Sequence, residues 1–508
     1  MGLAPYYDKA AVAAAQVVAG FDAAAFRQAV EGTSVGLAFG DQAATSPEGR
    51  ALLDLTVRLL ARLYPALTIR PLGPAAEDGA EALRTLALAI NPRLQLAEDS
   101  RVGIAVGADA PSWAETVYAG SAGWLGTISR SAPCPVGNTQ LPFGAGAAAC
   151  LAGAAVFRLL LDVTADAPGD IEFSCLDGIL PIVVNDPPEQ GWPLPARTVL
   201  IGAGAIGQAA TWALARSPLT GELHIVDPEP IDLGNLQRYV LATTADVDKP
   251  KATFAAQHVN GHPARTRGQL TAIAHDMNWV RARDDAGSAW GAALTAVDSA
   301  AARREVQASL PYWAANAWTQ PGDLGVSDHN FLGGACVACL YLPQGASRNE
   351  DEVVADALGI PDLLHDVRTL LHQGTPPPPP LLNTIATRLG VDPATVIDFE
   401  PRSIRDLYVR GICGGAVLPL RSGPVRADVH VPLAHQSALA GVLLAARLAR
   451  RAAGIVLTGT EVTRLDVRAA PGTQPSQPAA KDPRGICLCQ DFDYVTAFTQ
   501  EHAVGDAR

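Results

Sequence analysis

The chain alternates between two hydrophobic periods. Over residues 1–70 apolar positions recur at helical spacing in the Ala-rich stretches DKAAVAAAQVVAGFDAAAFRQAV and SPEGRALLDLTVRLLARLYP, so helices are expected there. Residues 80–160 mix strand-like and helix-like pieces: RVGIAVG at 101–107, ETVYAGSAGWLGTISRS at 115–131 and a long Ala helix, FGAGAAACLAGAAVFRLLL, at 143–161. The Pro-rich NDPPEQGWPLPA at 185–196 predicts a linker. A strand follows at Thr198–Ile201, then a glycine turn and a helix, then a second strand ending in Asp227. Further on, LTAVDSAAARREVQ at 294–307 takes a short apolar strand through Asp298 into an Arg-bearing helix. Helix-like stretches EDEVVADALG, PDLLHDVRTLLHQ and LLNTIATRLG occupy residues 346–412, with the run Pro376–Pro380 as a stiff exposed loop. VHVPLAHQSALAGVLLAARLARR at 429–451 predicts a strand, a turn and a long helix, and residues 470–484 a flexible tether. Strands alternating with helices predict an α/β protein. The apolar stretches at 143–157 and 437–446 are short, rich in Ala and Gly, and closed by Arg158 and Arg447, so no membrane-spanning helix is expected.

The glycine turn is Gly202-x-Gly204-x-x-Gly207. Glycines there permit a tight turn and let a phosphate approach the helix N-terminus, where free N–H groups and the helix dipole favour anions. Asp227 lies 20 residues after Gly207, placed to hold a ribose hydroxyl. A nicotinamide-dependent oxidoreductase would share all of this. Within the next 24 residues, however, come Asn235, Arg238 and Lys251. Three polar groups on the phosphate side suit a triphosphate attacked at its α-phosphate, where charge develops in the transition state. A dinucleotide dehydrogenase has no use for them.

Cysteine carries the other candidate chemistry. Cys336-x-x-Cys339 supplies half of a tetrahedral metal site, and the candidate second half is Cys487-x-Cys489. A redox dithiol or plain buried cysteines are the alternatives. Cys413 sits among Gly411, Gly414 and Gly415 with Arg410 nearby, so a bulky acyl group has room and a thiolate is favoured. A small buried residue in a glycine-rich segment is the competing reading. Cys134, Cys150 and Cys175 lie in apolar or Pro-rich surroundings and are read as core.

The run of Asp227, Asn235, Arg238 and Lys251 resembles the ATP-adenylating site of the ThiF, MoeB and ubiquitin-activating (E1) superfamily. The resemblance implies a Rossmann-like adenylation fold. Asp227 would bind ribose, Asn235, Arg238 and Lys251 the phosphates of ATP, and Asp298 would help hold Mg2+. Family members often carry Asn where this chain has Ser299. A structural Zn2+ would be closed by Cys336, Cys339, Cys487 and Cys489, although the family's second pair is seldom as tight as CxC. Cys413 matches the cysteine that takes the acyl group. The implied organisation is an inactive adenylation-like domain over 1–185, with an unrelated α/β accessory domain as the competing reading, a linker at 186–195 and an active adenylation domain over 196–345. A helical catalytic-cysteine insert at 346–412, the rest of the active domain at 413–469 and a tether with a zinc-binding tail at 470–508 complete it. The superfamily also uses an arginine from the partner half, for which Arg130 is a candidate; His435 reads as structural.

What the resemblance implies is adenylation of the C-terminal carboxylate of a ubiquitin-like protein, then a thioester that passes to an E2-like conjugating enzyme. Two halves plus an insert look most like the E1-like enzymes of bacterial ubiquitin-like conjugation operons, several of which act in antiphage defence. A sulfur-carrier adenylyltransferase of the MoeB/ThiF type would use the same ATP site without so large an insert. A non-catalytic scaffold binding a ubiquitin-like protein is the other alternative.

Composition narrows the partners. With 508 residues, 48% hydrophobic and 18% charged, the chain has material for two to four globular domains. A net charge of −13 argues against nucleic acid as a partner. Eight cysteines without an apparent secretion signal point to reduced thiols and a cytoplasmic setting. Neither a membrane nor a nucleic acid is expected as partner, and a monomer or a homodimer would serve.

Overall fold

The structure is a computed structural model. It describes residues 3–15, 18, 21–161, 169–176, 187–188, 190–262, 269–287, 289–320, 323–343, 349–397, 399–408, 432–455, 460–467 and 476–503. The chain opens with helices α1 (Tyr7–Ala15) and α2 (Ala23–Glu31). A first α/β half follows: β1 (Ser34–Gly40), the short α3 (Asp41–Thr45), α4 (Pro47–Leu63), β2 (Ala66–Leu72), α5 (Pro74–Ile90), β3 (Gln95–Leu96), β4 (Val102–Val106), β5 (Glu115–Ala122), β6 (Leu125–Ser129), α6 (Phe143–Leu161) and β7 (Ile171–Ser174). Its sheet has the order β3-β2-β1-β4-β5-β6-β7, parallel as far as β5 and antiparallel beyond.

The second half repeats this plan. Its elements are β8 (Trp192–Pro193), β9 (Thr198–Ile201), α7 (Ala205–Arg216), β10 (Leu219–Val226), α8 (Lys251–Asn260), β11 (Leu270–His275), α9 (Trp279–Ala286), β12 (Ala292–Thr295), α10 (Ala300–Ala308), β13 (Trp313–Gln320) and β14 (Asp323–Asn330). After the insert come α16 (Ala434–Ala452), β15 (Glu461–Leu465), β16 (Ser476–Pro478) and α17 (Phe492–Ala503). The strand order β11-β10-β9-β12-β13-β14-β15-β16 is again parallel through its first five strands and antiparallel afterwards. The first half therefore matches the second strand for strand, with α4 standing for α7 and α6 for α16. Central parallel strands are covered on both faces, which is why VGIAV and TVLI are apolar and buried throughout.

The two halves join through these helices. α6 packs on α4 and α16, and α16 packs on α7. Gly441 lets α16 approach so closely that a Cβ there would lie 2.3 Å from the Ile206 carbonyl oxygen. α6 is long and apolar enough to cross a membrane, but 89% of its apolar window is buried inside the protein. Asp54 of α4 bridges the halves: its Oδ2 accepts from Arg58 of its own helix (2.9 Å), and from Trp212 (2.7 Å) and Arg216 (3.0 Å) of α7.

A second compact unit comprises Tyr6–Arg27 and Pro343–Val431. The insert supplies α11 (Glu350–Ala357), α12 (Leu364–Gln373), α13 (Pro379–Leu389), α14 (Pro393–Ile397) and α15 (Ile404–Asp406). These close on a core that includes Val354, Leu358, Ile360, Val367, Leu382, Ile385, Phe399 and Leu407. Its grouping with residues 6–27 differs from the expected division, which assigned the whole N-terminus to the inactive half. The proline run is also not all loop, since Pro379 and Pro380 open α13, where a missing N–H has no helical partner to lose. Two further segments are more ordered than expected. Trp192–Pro193 of the linker pair with Leu219–Thr220, and Ser476–Pro478 of the expected tether pair with Thr463–Glu461.

Candidate functional site

Register levels the strand ends that frame the site. Ile201 pairs with both Val226 and Thr295, so Gly202, Asp227 and the turn before α10 emerge side by side at the switch point of the sheet, where open α/β sheets bind ligands. The glycines are sterically required. Gly202 adopts φ +92°, and a Cβ on Gly207 would fall 2.0 Å from the Gly202 carbonyl oxygen. Gly204 then caps α7, whose first N–H groups face the crevice side of the turn.

Asp227 is 7% exposed and anchors the glycine turn. Its Oδ2 accepts from Ala203 N–H (2.8 Å) and its Oδ1 from Glu229 N–H (2.9 Å). Burial raises its pKa, against the pull of Lys251 and these two N–H groups. Lys251 arrives by a local pairing, because Ile231 N–H donates to Lys249 O (2.9 Å) and Lys251 N–H to Glu229 O (3.0 Å). Its ammonium is 2.6 Å from Glu229 and lies over the Tyr239 ring at 5.5 Å. Burial works against that charge, but Tyr239, Asp227 and Glu229 together outweigh it and raise the lysine pKa. Lys251 is thus a fixed cation, and its Glu229 partner is 57% exposed.

Asn235 lies in a 3-10 turn over Leu233–Gln237, and its Oδ1 accepts from Asp232 N–H (3.1 Å). Arg238 follows directly. Among the described residues its guanidinium has no ion-pair partner, while Asp298 acts on it electrostatically and burial lowers its pKa. Asp298 is exposed. It does not cap α10: that role belongs to Ser299, whose hydroxyl accepts from Ala302 N–H (3.1 Å). The carboxylate of Asp298 is therefore available to a cation, and an oxygen donor of this kind fits Mg2+. The five predicted residues are linked by short steps. Asp227 binds the glycine turn and acts on Lys251, and Lys251 and Arg238 both lie over Tyr239. Arg238 and Tyr239 donate their N–H groups to Asn235 O, and Asp298 acts on Arg238.

Sequence reasoning missed three supports. Tyr239, buried beneath the glycine turn, brings its hydroxyl to 3.4 Å from where a Gly204 Cβ would stand. Glu229 is the second. Arg303 is buried and donates to the carbonyl oxygens of Val297 and Ala317 and to Asn316 Oδ1, fixing the turn that carries Asp298. The adjacency of Tyr239 to Arg238 was a usable signal; the arginine's inward direction was not.

The first half has the same switch point without the chemistry. Asp109 fills it against Gly40, where a Cβ would lie 2.1 Å from its carboxylate, and Asp41 fills it against Gly73 at 2.5 Å. Two carboxylates in place of a glycine turn repel a triphosphate. Arg130 is not brought to the second crevice by any recorded contact among the described residues; its backbone N–H donates to Asp170 (2.8 Å) and its guanidinium lies 3.9 Å from Glu115. His435 is buried against Phe157, and burial pushes its pKa down to about 4.

The four expected metal ligands converge. The Sγ atoms of Cys336, Cys339, Cys487 and Cys489 all lie within 4.8 Å of one another, with 3.5 Å between Cys336 and Cys487, 3.5 Å between Cys339 and Cys489, and 4.0 Å within the CxxC pair. Tetrahedral Zn–S bonds of about 2.3 Å require S···S edges of about 3.8 Å, so the donor set fits zinc. These separations exclude disulfides. Cys413 and Arg410 lie outside the described residues.

The ThiF family model matches residues 194–454, and the Prokaryotic E2 family C model matches residues 38–162. The uncharacterized protein y4jF of Sinorhizobium fredii is 40% identical over 99% of this chain and 98% of its own length. The sulfur carrier protein ThiS adenylyltransferase of Escherichia coli is 30% identical over 29% of this chain and 59% of its own. The SAMP-activating enzyme E1 of Haloferax volcanii is 43% identical over 15% and 27% respectively. Among solved structures, Escherichia coli MccB with ATP aligns at 14% identity and a TM-score of 0.34, over 60% of this chain and 67% of that one. The chain belongs to the ThiF family, within the ThiF/E1 superfamily of adenylating enzymes.

Proposed function

We propose that the protein is an ATP-dependent E1-type activating enzyme for a ubiquitin-like protein. The C-terminal carboxylate of that protein attacks the α-phosphorus of ATP, the bond to the β-phosphate oxygen breaks, and pyrophosphate leaves. Arg238 and Lys251 neutralise the phosphate charge as it grows, Asn235 donates a hydrogen bond to it, and Asp227 holds the ribose. Asp298 would hold Mg2+, which when bound shields the phosphates from their own repulsion. The Cys413 thiolate then attacks the acyl carbonyl, AMP departs, and the thioester passes to the cysteine of an E2-like enzyme.

One observation supports the reading: Asp227 binds the glycine turn and acts on Lys251, while Arg238, beside Asn235, is acted on by Asp298, a set of charges that a dinucleotide site does not need. The cysteine inventory supports the second step. Of eight cysteines, four form the metal set and three are buried. Burial pushes the Cys134 thiol up to about 11 and raises Cys150 and Cys175 further. These thiols are poor nucleophiles at neutral pH, which leaves Cys413. The same burial argues that transfer goes to a separate E2-like chain, even though the Prokaryotic E2 family C model matches within the first half.

The test mixes the full chain with the ubiquitin-like protein encoded nearest to its gene and Mg-ATP, then compares gels with and without reductant. A reductant-sensitive adduct is expected, absent in Cys413→Ala, Lys251→Ala and Asp298→Ala. Pyrophosphate release without an adduct would overturn the thioester step and favour sulfur-carrier adenylation. Release of neither would overturn the reading.

A further inference from the structure

The segment after Arg238 is gripped from both copies of the internal repeat. From the second half, Gln208 of α7 accepts on its Oε1 from Leu241 N–H and Ala242 N–H, each at 3.2 Å. From the first half, Arg58 and Arg62 stand one turn apart on α4. Arg58 Nη1 donates to Val240 O (3.1 Å) and Leu241 O (3.3 Å), and Arg62 Nη2 to Ala242 O (2.6 Å) and Tyr239 O. Four consecutive carbonyls thus end on two guanidinium groups, 9% and 1% exposed.

Burying a guanidinium is costly unless its donors are used, and a planar fork can serve two carbonyls at once where an ammonium cannot. The carbonyls it serves belong to a stretch that begins at Tyr239. That tyrosine sits beneath the glycine turn, with Lys251 over its ring at 5.5 Å and the Arg238 guanidinium at 5.9 Å. Any drift of the stretch moves both phosphate-facing cations.

We propose that Arg58 and Arg62 are positioning residues for phosphate binding, through which the half with no nucleotide crevice of its own sets Arg238, Tyr239 and Lys251 of the other half. The inference rests on the adenylation reading above. It assigns the first half a part in nucleotide binding distinct from any contact with the nucleotide itself.

The test measures Mg-ATP affinity of the full chain by calorimetry, alongside its unfolding temperature. Arg62→Lys keeps the charge and loses the fork, so binding should weaken about tenfold, in line with the cost of small misplacements remote from a ligand. In an Arg238→Ala background the same lysine change should cost less than about twofold, because coupled residues are not additive. Arg58→Lys should behave alike with a smaller loss. Wild-type affinity in both lysine variants would overturn the proposal, as would full additivity with Arg238→Ala. So would failure of both variants to fold, which would make the pair structural only. A wild-type chain that does not bind Mg-ATP would instead overturn the adenylation reading, and the inference with it.

Discussion

Asp298 and Ser299 are neighbours that divide two tasks. The serine hydroxyl satisfies the first turn of α10, and the aspartate is left facing the crevice. Asp298→Asn should therefore leave the unfolding temperature unchanged and lower ATP–pyrophosphate exchange by about a hundredfold, the scale of losing one charge stabiliser. Ser299→Ala should reduce stability by about 1 kcal/mol and change exchange little. Equal effects on both readouts in both variants would contradict the division. Residues of this kind were legible because backbone chemistry or charge restricts them: a glycine turn tolerates no Cβ at Gly207, and an Asp at a strand end has few structural uses. Tyr239, Glu229 and Arg303 were not legible, since each acts by burial or by a partner distant in sequence.

The C-terminal elements show what spacing can and cannot tell. Two cysteine pairs separated by some 150 residues could be matched because few other thiols were available. The helix that locks them, α17, has no clear apolar stripe: Phe492 is 81% exposed while Phe498 stacks on Phe331 at 4.8 Å. The CxxC turn also braces α10 and β13, since Val337 N–H donates to Gln307 of α10 (2.8 Å) and Tyr341 OH accepts from Asn316 (3.0 Å). Cys487→Ser should abolish a one-to-one zinc content measured by elemental analysis, and limited proteolysis should then cut within 476–503. Zinc-free wild-type protein with an intact, protease-resistant tail would refute the assignment. The insert's helices were legible from their periodicity, but their grouping with residues 6–27 depends on tertiary packing that no local pattern encodes.

At the scale of the molecule, the α/β class was readable from strands alternating with helices. A second adenylation-like fold was implied by the resemblance, but the strand-for-strand match of the two halves was not, because local patterns do not give strand order. Asp54 is the charge at their junction. Burial opposes its ionisation, yet Arg58, Arg216 and the Trp212 indole N–H prevail and hold the carboxyl well below the usual carboxylate range. A folded-state pKa depressed in this way contributes stability above the unfolded pKa of about 4, and that contribution fades as pH falls through the folded value. Asp54→Asn should thus cost about 1–3 kcal/mol at pH 7, with the gap from wild type narrowing below about pH 4 in pH-dependent thermal melts; a gap independent of pH would exclude the ion pair as its cause. Covalent linkage of the two copies has a further result. The helices α4, α6, α7 and α16 meet as parts of one polymer, so their encounter is governed by an effective concentration fixed by the tether rather than by how much protein a cell contains. Dilution cannot separate the arginines of α4 from the loop they hold.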